Sequence, residues 1–154
     1  MQNFKNKIIM QNNFVKIHTK KDLLLSVVFI IAGIGLFFIN KVAGIAIALL
    51  GILILFFYKT GYKFTGNDVI LKHKKLEISR KYQQSVLDFL NGKSEILEMQ
   101  PGNEGGTLLL EAWYNEQEGI AYAQLHAYQE LNFQPVTEII ELQKEASQKL
   151  IEKL

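Results

Sequence analysis

Three histidines, His18, His73 and His126, are the side chains of this chain best suited to move protons or hold a metal near neutral pH. No two of them lie at metal-ligand spacing. Cysteine is absent, which excludes disulfides, thiolate metal centres and a cysteine nucleophile. Carboxylates are common from Glu95 to Glu118, but acid–base work needs two held in one pocket with their pKa values driven apart. Their spacing puts most of them in loops or on exposed strand positions instead. The Gly105-Gly106 pair does not lie between a strand and a helix N-terminus, where a phosphate cradle belongs, and reads as a hairpin loop. No catalytic residue, cofactor or metal is therefore expected, and the chain reads as a non-enzyme.

One set of residues does have the chemistry of a contact surface. If Ile120 to Tyr128 is a strand, period-2 alternation puts Tyr122, Gln124, His126 and Tyr128 on one face and Ala121, Ala123, Leu125 and Ala127 on the other. Side chains with an apolar body and a polar tip are common at interfaces, and Trp113 on the neighbouring strand extends the set. Trp113, Tyr122, Gln124, His126 and Tyr128 are the candidate partner surface. Propensity alone leaves 120–128 open between strand and helix, because Ala, Gln and Leu favour helix.

The elements that position these residues begin with two apolar runs, 23–39 and 42–58, separated by Asn40-Lys41. Each has 17 residues, about 26 Å as a helix, against a hydrocarbon core of about 30 Å. They read as a two-pass transmembrane helical hairpin. Lysines before and after the pair, with only Lys41 between, place both termini in the cytoplasm of a bacterial inner (plasma) membrane. Lys20, Lys21, Lys59, Lys63, Arg80 and Lys81 form a basic juxtamembrane collar and are the candidate lipid-headgroup contacts. The two-residue turn sets Gly33 against Ala48 and Phe37 against Gly44. Gly33, Gly44, Ala48 and Gly51 are the candidate helix-packing positions, and the Gly44–Ala48 face is also a candidate for self-association.

Residues 1–22 carry five lysines and Asp22. They read as a basic segment, with 1–21 open between an interfacial amphipathic stretch, a frayed tail and an extra strand from Phe14 to Thr19. Residues 59–154 read as a cytoplasmic α+β domain, an antiparallel sheet of about five strands packed with two helices. A β-hairpin turns at Gly66-Asn67 within 62–71, and a helix runs from a Ser79 N-cap to Asn91-Gly92. Strands follow over 94–100, 107–114 and 120–128, with a loop from Pro101 to Gly106. A final helix begins near Pro135, its stripe formed by Val136, Ile139, Leu142, Ala146, Leu150 and Leu154.

Charge is segregated. Residues 82–154 hold four lysines and twelve acids, whereas 59–81 hold seven basic residues and two acids. The acidic body argues against nucleic acid as a partner. The expected function is a membrane-anchored, non-enzymatic interaction module in a multi-protein assembly, with the lipid bilayer and a protein partner or homo-oligomer as its contacts. The alternative is a sensor of lipid or ligand at the cytoplasmic face that uses the basic collar.

Overall fold

A computed structural model describes residues 7–9, 14–100, 102 and 108–154. Its elements are β1 (Lys7–Ile9), β2 (Phe14–Ile17), α1 (Lys20–Phe37), α2 (Lys41–Phe57), β3 (Gly61–Phe64), β4 (Ile70–Ile78), α3 (Gln83–Leu90), β5 (Leu108–Asn115), β6 (Ile120–Gln129), β7 (Asn132–Pro135), β8 (Ile139–Gln143) and α4 (Glu145–Lys153). A 3-10 turn, Arg80–Tyr82, leads into α3. The chain forms two compact bodies, one of residues 16–63 and the other of residues 1–15 with 64–154.

The first body is the α1–α2 hairpin. Thr19 caps α1 through a capping box, its side chain accepting from the Asp22 amide while the Asp22 carboxylate accepts from the Thr19 amide. Asn40 caps α2 by accepting from the Val42 and Ala43 amides. These caps set the helix limits, and the limits overturn the transmembrane reading. Lys20, Lys21 and Asp22 form the first turn of α1, so its apolar part is Leu23–Phe37, about 22 Å long. Phe38 and Ile39 fall in the turn, and Tyr58 leaves α2. Among the described residues no helix is long and apolar enough to cross a membrane. The two-pass hairpin, the bacterial inner-membrane location and the membrane-protein fold class are corrected accordingly: the described residues form an α+β structure of four helices and an antiparallel sheet.

Inside the hairpin the helices approach to backbone contact. A Cβ built on Gly33 would lie 2.5 Å from the Ala48 nitrogen. One on Gly44 would collide with the Phe37 backbone, and one on Gly51 would lie 2.9 Å from the Ile30 nitrogen. Ser26, fully buried, donates from its hydroxyl to the Gly51 carbonyl at 2.8 Å. At the open end Asp22 closes the structure: its carboxylate accepts from the Thr60 amide at 3.0 Å and the Thr60 hydroxyl at 2.7 Å. Burial pulls the Asp22 pKa up, but the hydrogen bonds from Thr19 and Thr60 outweigh it and bring it down to about 2.

The second body contains an antiparallel sheet ordered β1-β8-β6-β5-β4. β5 pairs along its length with β4 (Ile78↔Leu108 to Lys72↔Tyr114) and with β6 (Leu108↔Ala127 to Asn115↔Ile120). The other side of β6 is shared. Its first half pairs with β8, from Ile120↔Gln143 to Ala123↔Ile140, and its second half with β7, from His126↔Pro135 to Gln129↔Asn132. At the corner between them the Leu125 amide donates to the Thr137 hydroxyl at 3.0 Å, and the Val136 amide donates to the Leu125 carbonyl at 2.8 Å. No sheet donor or acceptor of Leu125 is wasted where the partner strand changes.

One face of this sheet carries the core. Ile78, Leu108, Leu110, Ala112, Ala121, Ala123, Leu125, Ile140 and Leu142 are buried with Val86, Phe89 and Leu90 of α3 and Leu150 of α4. The alanines of β6 make room for close packing of α4, where buried Ser147 donates to the carbonyls of Gly119 and Lys144.

Several expected elements differ. Residues 136–154 do not form one helix: Ile139–Gln143 form β8, with Ile140 to Gln143 paired to β6, and only Glu145–Lys153 are helical. Leu97 and Met99 are buried as expected, but no strand forms around them. Ser79 precedes the 3-10 turn without a side-chain cap bond. The strand alternative for 14–19 appears as β2, and β6 occupies the 120–128 segment. Most of 1–13, Pro101 and 103–107, including the Gly105-Gly106 pair, lie outside the described residues.

Candidate functional site

The face of β4, β5 and β6 opposite the core holds the polar and aromatic residues singled out above. The pairing register brings them into rows: His73 opposite Trp113 opposite Tyr122, and Lys75 opposite Glu111 opposite Gln124. Phe14 stacks on Trp113 (centroids 4.6 Å apart, planes at 15°) and meets Tyr122 edge-on at 5.3 Å. Phe64 lies 5.1 Å from Tyr122, and the His73 ring also stacks on Trp113, at 5.2 Å. Trp113, Tyr122, Gln124 and His126 are all buried, and only Tyr128, 48 % exposed, reaches solvent freely. Tyr128 instead pairs with Phe133 of β7 at 5.3 Å. The alternation thus places four of the five residues in one side-chain layer, with Phe14 and Phe64 packed on its Trp113–Tyr122 end and Tyr128 at its edge.

The residue that organises the layer is Glu111. His73 Nε2 lies 2.7 Å from its Oε1, Lys75 Nζ 3.3 Å from the same oxygen, and His126 Nε2 3.2 Å from Oε2. The last contact has ion-pair distance without the alignment of a hydrogen bond. Burial pulls the Glu111 pKa up, but His126, His73 and Lys75 together hold it far below the usual carboxylate range. Glu111 is therefore ionised at every ordinary pH. It is a poor general acid or base near neutrality, where such a group needs a pKa close to the working pH. Its geometry suits a clamp across three strands, with His73 and Lys75 from β4 and His126 from β6.

Around this clamp two buried polar atoms, Trp113 Nε1 and Gln124 Oε1, have no hydrogen-bond partner among the described residues. The Gln124 amide nitrogen donates to the Thr137 carbonyl at 3.0 Å, fixing the side chain to the β7–β8 corner. Burial and the nearby Glu141 carboxylate push the Tyr122 hydroxyl up to about 12, and its hydrogen bond with Asn67 offsets part of that rise. Among the described residues no cluster of His, Cys, Asp or Glu has the arrangement to hold a metal ion.

The remaining singled-out residues fall elsewhere. Gly33, Gly44, Ala48 and Gly51 line the seam of the helical hairpin. In that body Lys20, Lys21 and Lys59 are exposed and Lys63 is half-buried; in the other, Arg80 and Lys81 are exposed, with Lys81 Nζ 4.7 Å above the Tyr82 ring. Sequence reasoning missed Glu111 and Asp22. Each left a signal: Glu111 is the one charge inside the apolar run Leu108–Trp113, and Asp22 completes a Thr-x-x-Asp cap. No protein-family model, curated protein or solved structure matches the chain.

Proposed function

We propose that this protein is a non-enzymatic interaction module, a component of a multi-protein assembly, and that the α1–α2 hairpin is the element its partner covers. One observation carries the reading. The hairpin spends its small residues on its own seam and turns its large apolar ones outward: Leu24, Ile31, Ile34, Val42, Phe56 and Phe57 are all more than half exposed. Apolar patches beyond a few hundred Å² are rare on proteins that act alone and mark interaction surfaces. The commitment of Glu111 to its clamp fits the same reading, because the best-placed acid–base group is tied up in holding strands together.

The test is extraction of the tagged full-length chain from its native cells in a mild nonionic detergent, with mass spectrometry of proteins and lipids that co-purify. A protein recovered in fixed stoichiometry, and lost when Ile31 and Phe56 are both changed to serine, supports the proposal. Recovery as a monomer, with lipid alone or with nothing, refutes it.

A further inference from the structure

We infer that the occupant of the hairpin surface is a second copy of this chain, docked through a groove between α1 and α2 beside their turn; this rests on the interaction-module reading. The groove is lined by Gly33, Ile34, Phe37, Gly44, Ile45 and Ala48, with Phe38 on its rim, and has a volume of about 150 Å³. It lies along the seam where Gly33 and Gly44 let the two helix backbones meet. The groove is open to the surface and almost wholly apolar, so an aromatic ring laid against it would be covered on one side.

The hairpin presents such a ring itself. Phe38, in the turn after α1, is 84 % exposed. Knob and recess sit at the same level of the hairpin. Two copies standing side by side about a two-fold axis parallel to the helices can each place Phe38 in the other's groove. That contact is isologous and closes on itself, so it yields a dimer rather than a fibre.

Nineteen large apolar side chains between Leu23 and Tyr58 are exposed, at 39–84 %. Fully burying one removes roughly 60–120 Å² from water, so the hairpin exposes on the order of 1,000 Å² over all its sides together. A two-fold contact covers one side of it, a small interface beside the roughly 800 Å² per partner of a standard one. Lys41, the one charge in this span, is exposed at the start of α2, beside the turn, where it remains in water.

The experiment uses the full-length chain purified in a mild nonionic detergent and analysed by sedimentation with the detergent density-matched. The wild type sediments as a dimer. Phe38→Ser weakens association at least tenfold with helix content unchanged by circular dichroism, and Phe57→Ser, at the far end of α2, weakens it less than threefold. Because the chain has no cysteine, a mixture of Phe38→Cys and Ile45→Cys chains also reports directly: oxidation gives the mixed disulfide dimer in excess over either like pair. A wild-type monomer, equal effects of the two serine variants, or no excess of the mixed dimer overturns the inference. A monomer that carries a different protein in fixed stoichiometry overturns it and leaves the interaction module standing. A monomer with no protein partner overturns both.

Discussion

Replacing Asp22 by asparagine should loosen the base of the helical hairpin in a way that depends on pH. The carboxylate holds three donors, the amides of Thr19 and Thr60 and the Thr60 hydroxyl, at 2.7–3.0 Å. It thereby ties the start of α1 to a residue 38 positions away. Its pKa falls from an ordinary 3.8 to about 2, and each unit corresponds to about 1.4 kcal/mol. The shift alone would give roughly 2.5 kcal/mol, which solvent screening at the hairpin's open end trims to about 1–2 kcal/mol. A depressed carboxylate pKa stabilises the folded state above the unfolded value, and that contribution disappears as pH falls from about 4 to about 2. Hydrogen exchange at the Thr60 amide, followed in the full-length protein, reads the effect locally. At pH 6 the opening free energy of that amide should drop by about 1–2 kcal/mol in Asp22→Asn. Between pH 4 and pH 2 the wild type should converge on the variant. An unchanged Thr60 amide at pH 6, or a gap that persists at pH 2, would refute the reasoning.

Other expectations follow from the same geometry. Glu111→Ala leaves Lys75 and two imidazoles without their counter-charge beside a buried layer and should destabilise the sheet body by about 3–5 kcal/mol in urea unfolding. Glu111→Gln, which keeps the shape, should cost less. Gly33→Leu must push its side chain into the Ala48 backbone and should open the hairpin, seen as lost protection of the α1 and α2 amides. Gly35→Ala, with nothing within 4 Å, should stabilise by about 0.5–1 kcal/mol on the same assay. At the β6–β7 turn Glu130 and Leu131 both adopt positive φ, 49° and 65°. Leu131→Gly relieves one strained residue and should raise the melting temperature by a few degrees, an effect of about 1 kcal/mol.

The elements legible in the sequence are those with one dominant period. β6 follows from the alternation of Tyr122, Gln124 and His126 against alanines, and the hairpin seam from a two-residue turn that sets Gly33 level with Ala48. The segment after Pro135 is ambiguous because Ile139, Ile140 and Leu142 satisfy helical and strand spacing together. Only the free edge of the first half of β6 decides for strand. Hydropathy overestimates the helix lengths because it does not register caps: Thr19 and Asn40 place charged residues inside the helices, and Phe38 falls outside them. Leu97 and Met99 show that alternation predicts burial even where no strand partner is at hand. Glu111 was hidden for a different reason. Its partners lie 38 positions before it and 15 after it, and no local pattern encodes a register between strands so far apart.

The shared edge of β6 has a consequence for how the sheet keeps its alignment. Because β7 and β8 are successive parts of one segment, any slip along β6 would have to carry both. A shift by two residues preserves the in-and-out alternation and is the error an antiparallel pair most easily tolerates. Here that shift would take the Thr137 hydroxyl away from the Leu125 amide and move Pro135, which has no N–H to give, from the strand end toward its middle. The break in the ladder therefore acts as an index mark: it is the one place where the strand can be read against its neighbour in a single way.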